Sequence, residues 1–130
     1  METRLFTLSE ANNLIPELET ALRKIQAVRA FLQSIQVEIQ KARDHASGGG
    51  GSPIGPSYIK GLEFIVSRIE KIQESGVVLK DLERGLCDFP ALRDGDQVYL
   101  CWKLGEPEIR WWHPLDSGFS GRQPLEPESV

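Results

Sequence analysis

An apolar series with alternating spacings of four and three residues runs through the first third of the chain. Its members are Leu14, Leu18, Ala21, Ile25, Val28, Leu32, Ile35 and Ile39. This 3.5-residue period is typical of a helix that packs along one seam against another helix. Thr7 and Glu10 form a capping box at its start, so we predict helix one over residues 7–45. Pro16 predicts either a kink or a short first helix joined to a longer one.

A second apolar series has the same period and predicts helix two over residues 57–75, with Gly76 as its C-terminal stop. The glycine-rich stretch 46–56 predicts a flexible linker between the helices. An antiparallel, coiled-coil-like hairpin is the simplest pairing of the two series. Because helix two is the shorter, part of the seam needs the β region or a second copy of the chain as its partner, and we predict a homodimer.

The hydrophobic period changes to two after Gly76, which indicates strands. We predict a small antiparallel β-sheet of three or four strands in residues 77–113, followed by a tail over 114–130 that folds back through Phe119 and Leu125. The chain is then a single α+β domain. Asp94-Gly95 predicts a hairpin turn, and Pro90 is expected to end a strand.

Side-chain alternation assigns faces to the two most aromatic strands. Val98, Leu100 and Trp102 share one face, and Tyr99 and Cys101 share the other. In the last strand Ile109, Trp111 and His113 alternate with Arg110 and Trp112. This parity predicts that Trp111 lies in the core and that Trp112 lies at the surface.

Composition argues against several classes of function. A net charge of −4 argues against a nucleic-acid binder, which needs a basic face. The chain has no apolar run of about 18 residues, so no membrane span is expected. The first ten residues lack the pattern of a signal peptide, and the two cysteines are therefore expected to be reduced thiols in the cytoplasm.

The C-terminal half contains a set of short motifs typical of one bacterial family. They are Gly76–Asp81, Arg84–Leu86, Asp88–Ala91, Val98–Trp102, Leu104–Pro107 and Trp112-His113, with Phe6-Thr7 and Glu10–Asn12 at the front. With these motifs the chain resembles domain of unknown function 2203, over nearly all of its length except the glycine linker and the last residues. The resemblance implies that the helical hairpin and the β unit occur together. It implies no activity and no catalytic residues.

Four side chains form a candidate ligand or metal site at one end of the β unit: Asp88, Glu106, His113 and Asp116. A histidine with carboxylates suits a divalent metal or a general acid–base pair, although the His113–Asp116 spacing matches no recognised metal motif. The structural alternative is a strand-end histidine among turn-capping aspartates. Cys87 and Cys101 lack CxxC spacing, so buried apolar cysteines are favoured over a metal or redox pair.

A second set of residues forms a candidate interaction surface: Trp112, Arg110 and Arg122. An exposed tryptophan beside arginines is typical of a binding surface, with core packing as the alternative. Arg122 is expected to pair with an acidic group such as Asp88 or Glu106. The helix-starting Asn12 and Asn13 are expected to hydrogen-bond to the β unit rather than to a ligand.

Two functions lead, and RNA binding by the face that carries aromatic residues and arginines is a third reading. The first is a non-enzymatic cytoplasmic binding or assembly module, homodimeric through the helical seam or bound to another protein. The alternative is a metal-binding protein or small enzyme with its site among the carboxylates and His113. Convergence of those side chains in a concave pocket would favour the second.

Overall fold

A computed structural model describes residues 3–45 and 55–126 of the chain. It has two helices, α1 (Leu8–His45) and α2 (Gly55–Glu74), followed by five strands. The strands are β1 (Val78–Asp81), β2 (Leu86–Arg93), β3 (Asp96–Lys103), β4 (Trp111–Pro114) and β5 (Gln123–Pro124). All neighbours are antiparallel, and the order β1-β2-β3-β4-β5 is a simple meander. The α+β class is confirmed, but the sheet has five strands rather than three or four.

The fifth strand arises because the tail folds back on β4. Trp111 pairs with Pro124 and Trp112 with Gln123, and the Leu125 N–H donates to the Arg110 carbonyl at 2.8 Å. A two-residue edge strand ending in proline carries almost no β signal, and proline is tolerated there because an edge strand needs no further donor. Sequence periodicity therefore missed it.

The capping box starts α1 as predicted. The Thr7 N–H donates to Glu10 Oε1 at 2.9 Å, and the Glu10 N–H donates to Thr7 Oγ1 at 3.1 Å. The hydrogen bond from the Thr7 backbone is the main reason that the pKa of Glu10 lies below its ordinary value. Pro16 lies inside one helical element, so α1 is not divided into a short and a long helix.

The helix faces that form the core differ in part from the predicted seam. Near the sheet, α1 buries Ala11, Ile15, Leu18, Leu22 and Ile25 in one cluster with sheet residues such as Phe89 and Trp102. Leu14 and Ala21, which belong to the predicted seam, are only partly buried beside that cluster. The N-terminal half of α1 packs on the sheet as well as on α2, and this turns its buried stripe away from the two-helix seam.

Farther from the sheet, the partner of α1 within residues 3–45 and 55–126 is α2. Leu32 and Ile35 are buried, and a Cβ added to Gly61 of α2 would lie 2.7 Å from Leu32 Cδ2. Gly61 thus permits the close approach of the two helices. At Leu32, therefore, α2 is the partner of the α1 seam.

Pro90 does not end a strand but lies inside β2, opposite Tyr99 of β3. Its carbonyl accepts the Phe6 N–H at 2.7 Å, on the side away from β3. The N and C=O of one strand residue point to the same side, so the missing N–H of Pro90 also faces away from β3. β1 reaches only as far as Asp88, and no ladder hydrogen bond is lost at Pro90.

The hairpin between β2 and β3 turns at Asp94-Gly95, with φ of 51° and 85°. Two positive φ values are those of a type I′ turn, as predicted from Asp-Gly. Arg93 pairs with Asp96 directly across it.

The assignment of the two adjacent tryptophans was wrong. Trp112 lies opposite Leu100 and packs against the helix-side core, whereas Trp111 lies opposite Cys101 on the other face. β4 begins at Trp111, so Ile109 lies outside the strand and cannot set its parity. Ile109 is buried, and its N–H donates to Asn12 Oδ1 at 2.8 Å, which shows that Asn12 bonds to the β unit.

Residues 46–54 of the predicted linker lie outside the described residues, while Gly55 and Pro56 already belong to α2. Neither described helix combines the length and the apolar character that crossing a bilayer requires.

Candidate functional site

The register of three strands brings Asp88, Cys101 and His113 onto one face of the sheet. Asp88 of β2 lies directly opposite Cys101 of β3. His113 of β4 lies opposite Tyr99, two residues before Cys101, so it is the diagonal neighbour of Cys101 on the same face. The core residues Cys87, Leu100 and Trp102 alternate with these positions and face the helices. The three polar residues therefore lie on the face away from α1 and α2.

All three residues are buried, although neither helix covers this face. Asp88 is 3%, Cys101 2% and His113 2% exposed. The cover comes from the tail, where Ser117, Gly118 and Phe119 line a small cavity of about 120 Å³ together with the three residues. Lys80 and Leu86 complete its wall, and the Lys80 ammonium lies 5.1 Å from the centre of the Tyr99 ring.

Hydrogen bonding settles which nitrogen of His113 carries a proton. Nδ1 lies 2.8 Å from the carbonyl oxygen of Pro114, which can only accept, so Nδ1 is the donor. Nε2 lies 3.1 Å from both carboxylate oxygens of Asp88. A bare Nε2 lone pair facing an ionised carboxylate would be repulsive. One further proton is therefore shared between Nε2 and Asp88 when nothing else is bound there.

Burial raises the pKa of Asp88, and the charge and hydrogen bond of His113 oppose that rise. The removal of the carboxylate from water thus outweighs its pairing. The carboxyl of Asp88 therefore holds a proton more tightly than an exposed aspartate does.

The Cys101 sulfur completes the group. One ligand atom each of Asp88, Cys101 and His113 lies within 4.8 Å of the others. Burial raises the pKa of Cys101 to about 11, and the Asp88 charge adds to the effect, while Arg122 opposes it. Cys101 is therefore a thiol at neutral pH when the site holds only protons.

The two cysteines do not pair with each other. Both are free thiols, and Cys87 pairs with Trp102, the pair next to Asp88–Cys101 in the β2–β3 ladder. Adjacent residues of a strand point to opposite faces of a sheet, so the two cysteine side chains lie on opposite faces. Burial raises the pKa of Cys87 to about 12, as suits a small apolar residue of the helix-side core.

Arg122 links Cys101 of this site to Glu106. Its guanidinium donates to Glu106 Oε2 through one nitrogen and lies 3.9 Å from Cys101 Sγ through another. The same group stacks on the rings of Trp111 and Phe119, at 4.5 Å from each centroid. Glu106 is itself held, because its Oε1 accepts the Lys103 N–H at 2.7 Å. The predicted pairing of Arg122 with an acidic residue is confirmed for Glu106.

A family model for uncharacterized conserved proteins, DUF2203, matches residues 4–125. The chain belongs to the DUF2203 family. The match runs from the residues before α1 to the end of β5, so all three donors, Glu106 and Arg122 lie within the DUF2203 domain. No curated protein and no solved structure matches this DUF2203 chain.

Of the four candidate ligands, the DUF2203 structure brings two into direct contact, Asp88 and His113. Glu106 forms its ion pair with Arg122 rather than with His113. Asp116 is exposed and makes no hydrogen bond or ion pair within the described residues. Of the candidate surface residues, Arg122 is half-buried, Trp112 packs on the core, and Arg110 is exposed and paired with Glu108 at 3.0 Å.

Cys101 and Lys80 are the residues that sequence reasoning did not place in the site. For Cys101 a signal existed. Counting outward from the two-residue turn at Asp94-Gly95 places Asp88 opposite Cys101, and alternation places both on the same face. Lys80 had no such signal, because the β1–β2 register shifts at its position.

Proposed function

We propose that this DUF2203 chain is a metal-binding protein that holds a divalent transition metal with Asp88, Cys101 and His113. The observation that carries the proposal is the convergence of an oxygen, a sulfur and a nitrogen donor within 4.8 Å on one buried face. Their convergence in a small cavity favours ligand binding over a purely structural role.

The geometry is close to what a tetrahedral metal needs. Two ligand atoms at about 2.0 Å from zinc and at tetrahedral angles lie about 3.3 Å apart. His113 Nε2 and the Asp88 oxygens are separated by 3.1 Å, so a small shift admits the ion. The hydrogen bond from Nδ1 to the Pro114 carbonyl is the outer contact that typically orients a metal-binding histidine and directs its Nε2 lone pair to the ion.

The alternative is a buried hydrogen-bonded pair whose only role is structural. Such a pair is a poor way to stabilise a sheet face, because removing the charges from water offsets most of their attraction. Apolar residues of similar size would cover the face equally well. The Cys101 thiol adds a third donor to the Asp88–His113 pair, and a guanidinium beside it, such as that of Arg122, stabilises a metal-bound thiolate.

The donor set favours zinc. A nitrogen, a sulfur and a carboxylate oxygen suit Zn²⁺, and three protein ligands leave a fourth position open. The three residues line the cavity of about 120 Å³, which would have room for water or a very small ligand as the fourth ligand. The site needs Cys101 in reduced form, which agrees with the predicted cytoplasmic location.

The test is metal analysis of protein purified without a histidine tag, before and after loading with Zn²⁺ or Co²⁺. We expect about one metal ion per chain, a rise in melting temperature and, with Co²⁺, a thiolate-to-cobalt absorption band. Cys101→Ala should abolish the band, and His113→Ala and Asp88→Ala should abolish stoichiometric binding.

Cys87→Ala is the matched control, because Cys87 is also buried but faces the helices. It should retain full metal content and the cobalt band. Folded protein that takes up no metal, or equal loss of the band in both cysteine variants, would refute the proposal.

A second candidate function, assembly into a homodimer, is favoured by an exposed apolar stripe on α2. Ile59, Leu62 and Val66 are spaced by three and four residues and are 57%, 44% and 54% exposed. Apolar residues at this spacing form one helix face, and exposed stripes of this kind mark interaction sites. The dimer contact is then the outer face of α2 rather than the α1 seam.

Sedimentation of the parent chain at micromolar concentration should show a dimer. Val66→Lys should dissociate this dimer, and the adjacent Ser67→Lys should leave it intact. A monomeric parent chain would exclude the dimer.

A further inference from the structure

A groove lies between the first turns of α1 and the last turns of α2, on the hairpin. Its volume is about 520 Å³, within the range of small-molecule sites. Leu14, Leu18, Ala21 and Ile72 form its apolar floor. The groove is well separated from the metal-site face, because these helices pack on the opposite side of the sheet.

The rim of the groove is cationic although the chain carries a net charge of −4. Lys24, Arg68 and Lys71 line it, against a single carboxylate, Glu17. Within residues 3–45 and 55–126, none of these three cations has a carboxylate oxygen within 4.0 Å. The Arg68 guanidinium instead lies 5.0 Å from the centre of the Phe64 ring. Three unpaired cations around an apolar floor complement a ligand with one anionic end.

We infer that this groove binds a small amphiphilic anion, with an acyl or aryl body on the apolar floor and a carboxylate at the cationic rim. A purely polar anion would leave the floor exposed to water, and a neutral lipid would leave three cations without a partner. A docked peptide helix needs a row of apolar anchors over two or more turns. The row Leu14, Leu18 and Ala21 covers only about two turns, and the groove volume of about 520 Å³ is that of a small-molecule site, so a short ligand fits it better.

The test is calorimetric titration of the full chain with octanoate, and with 1-octanol as the neutral analogue of the same chain length. Octanoate should bind at one site per chain. 1-Octanol should bind about tenfold more weakly, the difference expected for one charge-assisted contact. The double variant Arg68→Gln/Lys71→Gln should lose about the same factor for octanoate and none for 1-octanol.

The charge control is Lys41→Gln/Arg43→Gln, which removes the same charge from exposed positions at the far end of α1. It should bind octanoate like the parent chain. Ala21→Phe fills the floor and should abolish binding of both probes, while the melting temperature reports that the variant is folded. Equal affinity for octanoate and 1-octanol, unchanged binding by folded Ala21→Phe, or no saturable binding by the parent chain would each overturn the inference.

Discussion

Asp88 and Cys101 face each other directly across the β2–β3 ladder, six residues outward from either side of the same two-residue turn. Their meeting is therefore decided by the register of one hairpin. A slip of one residue would move either side chain to the opposite face and break up the site. The turn at Asp94-Gly95 and the loops that flank the hairpin hold that register.

Two glycines of the β unit should differ sharply in their tolerance of alanine. Gly85 and Gly95 both have positive φ, 69° and 85°, which alanine adopts at a cost of about 1 kcal/mol. A Cβ at Gly95 would have no heavy atom within 4 Å, whereas one at Gly85 would lie 2.5 Å from the Leu104 Cβ. Gly95→Ala should lower the free energy of unfolding by about 1 kcal/mol and Gly85→Ala by about 3 kcal/mol. Denaturant unfolding measures both, and equal losses would show that the contact with Leu104 relaxes freely.

Local signals accounted for most of the fold. The capping box and the Asp-Gly turn each act within a few residues, and the structure has both. The two apolar periods predicted the two helices, although Leu14 and Ala21 of the predicted seam are only partly buried. The face of the sheet on which Cys101 lies followed from alternation. These elements are predictable because each depends on its own residues and not on distant partners.

The wrong predictions share one physical cause. In each case a segment that is adjacent in the fold changed the conformation or the burial of the residue. Pro90 remains in a strand because Phe6, far away in sequence, takes its carbonyl. Trp111 lies beneath Arg122 because the tail folds back. Asp116 is exposed in the turn that follows β4. No local pattern contains this information.

Metal affinity should rise with pH. Cys101 has its pKa raised to about 11, so at pH 6–8 the metal-free site holds the thiol proton. Metal binding expels that proton, so affinity increases by about tenfold per pH unit. Competition titrations with a chelating indicator at pH 6, 7 and 8 measure the slope. Cys101→Ala, where it still binds, should lower the slope by one proton, and an affinity independent of pH would contradict the assignment of ligands.

Asn12 should matter for stability and its neighbour Asn13 should not. Asn12 Oδ1 accepts the N–H of Ile109, a residue that is only 3% exposed. Asn12→Ala leaves this buried donor without a partner, which costs about 1–3 kcal/mol of unfolding free energy. Asn13 is exposed on the same helix, and Asn13→Ala should change stability by no more than about 0.5 kcal/mol, in the stabilising direction. Thermal or denaturant unfolding compares them, and equal effects would mean that water replaces the Asn12 oxygen.

Arg122 should tune the metal site without belonging to its ligands. Its guanidinium touches Cys101 Sγ at 3.9 Å, is held by Glu106, and stacks between Trp111 and Phe119. Removing the charge destabilises the thiolate that the metal requires, and outer contacts of this kind are typically worth about 10–100-fold in metal affinity. Arg122→Gln should therefore weaken zinc binding by that factor and slow the alkylation of Cys101 in the metal-free protein.

Arg110→Gln is the control, since Arg110 is exposed and paired only with Glu108. It should change neither the zinc affinity nor the rate of alkylation. A Glu106→Gln variant should fall between the two, because the arginine keeps its stacking but loses its anchor. Parent-like zinc affinity in folded Arg122→Gln would show that the guanidinium only holds the tail in place.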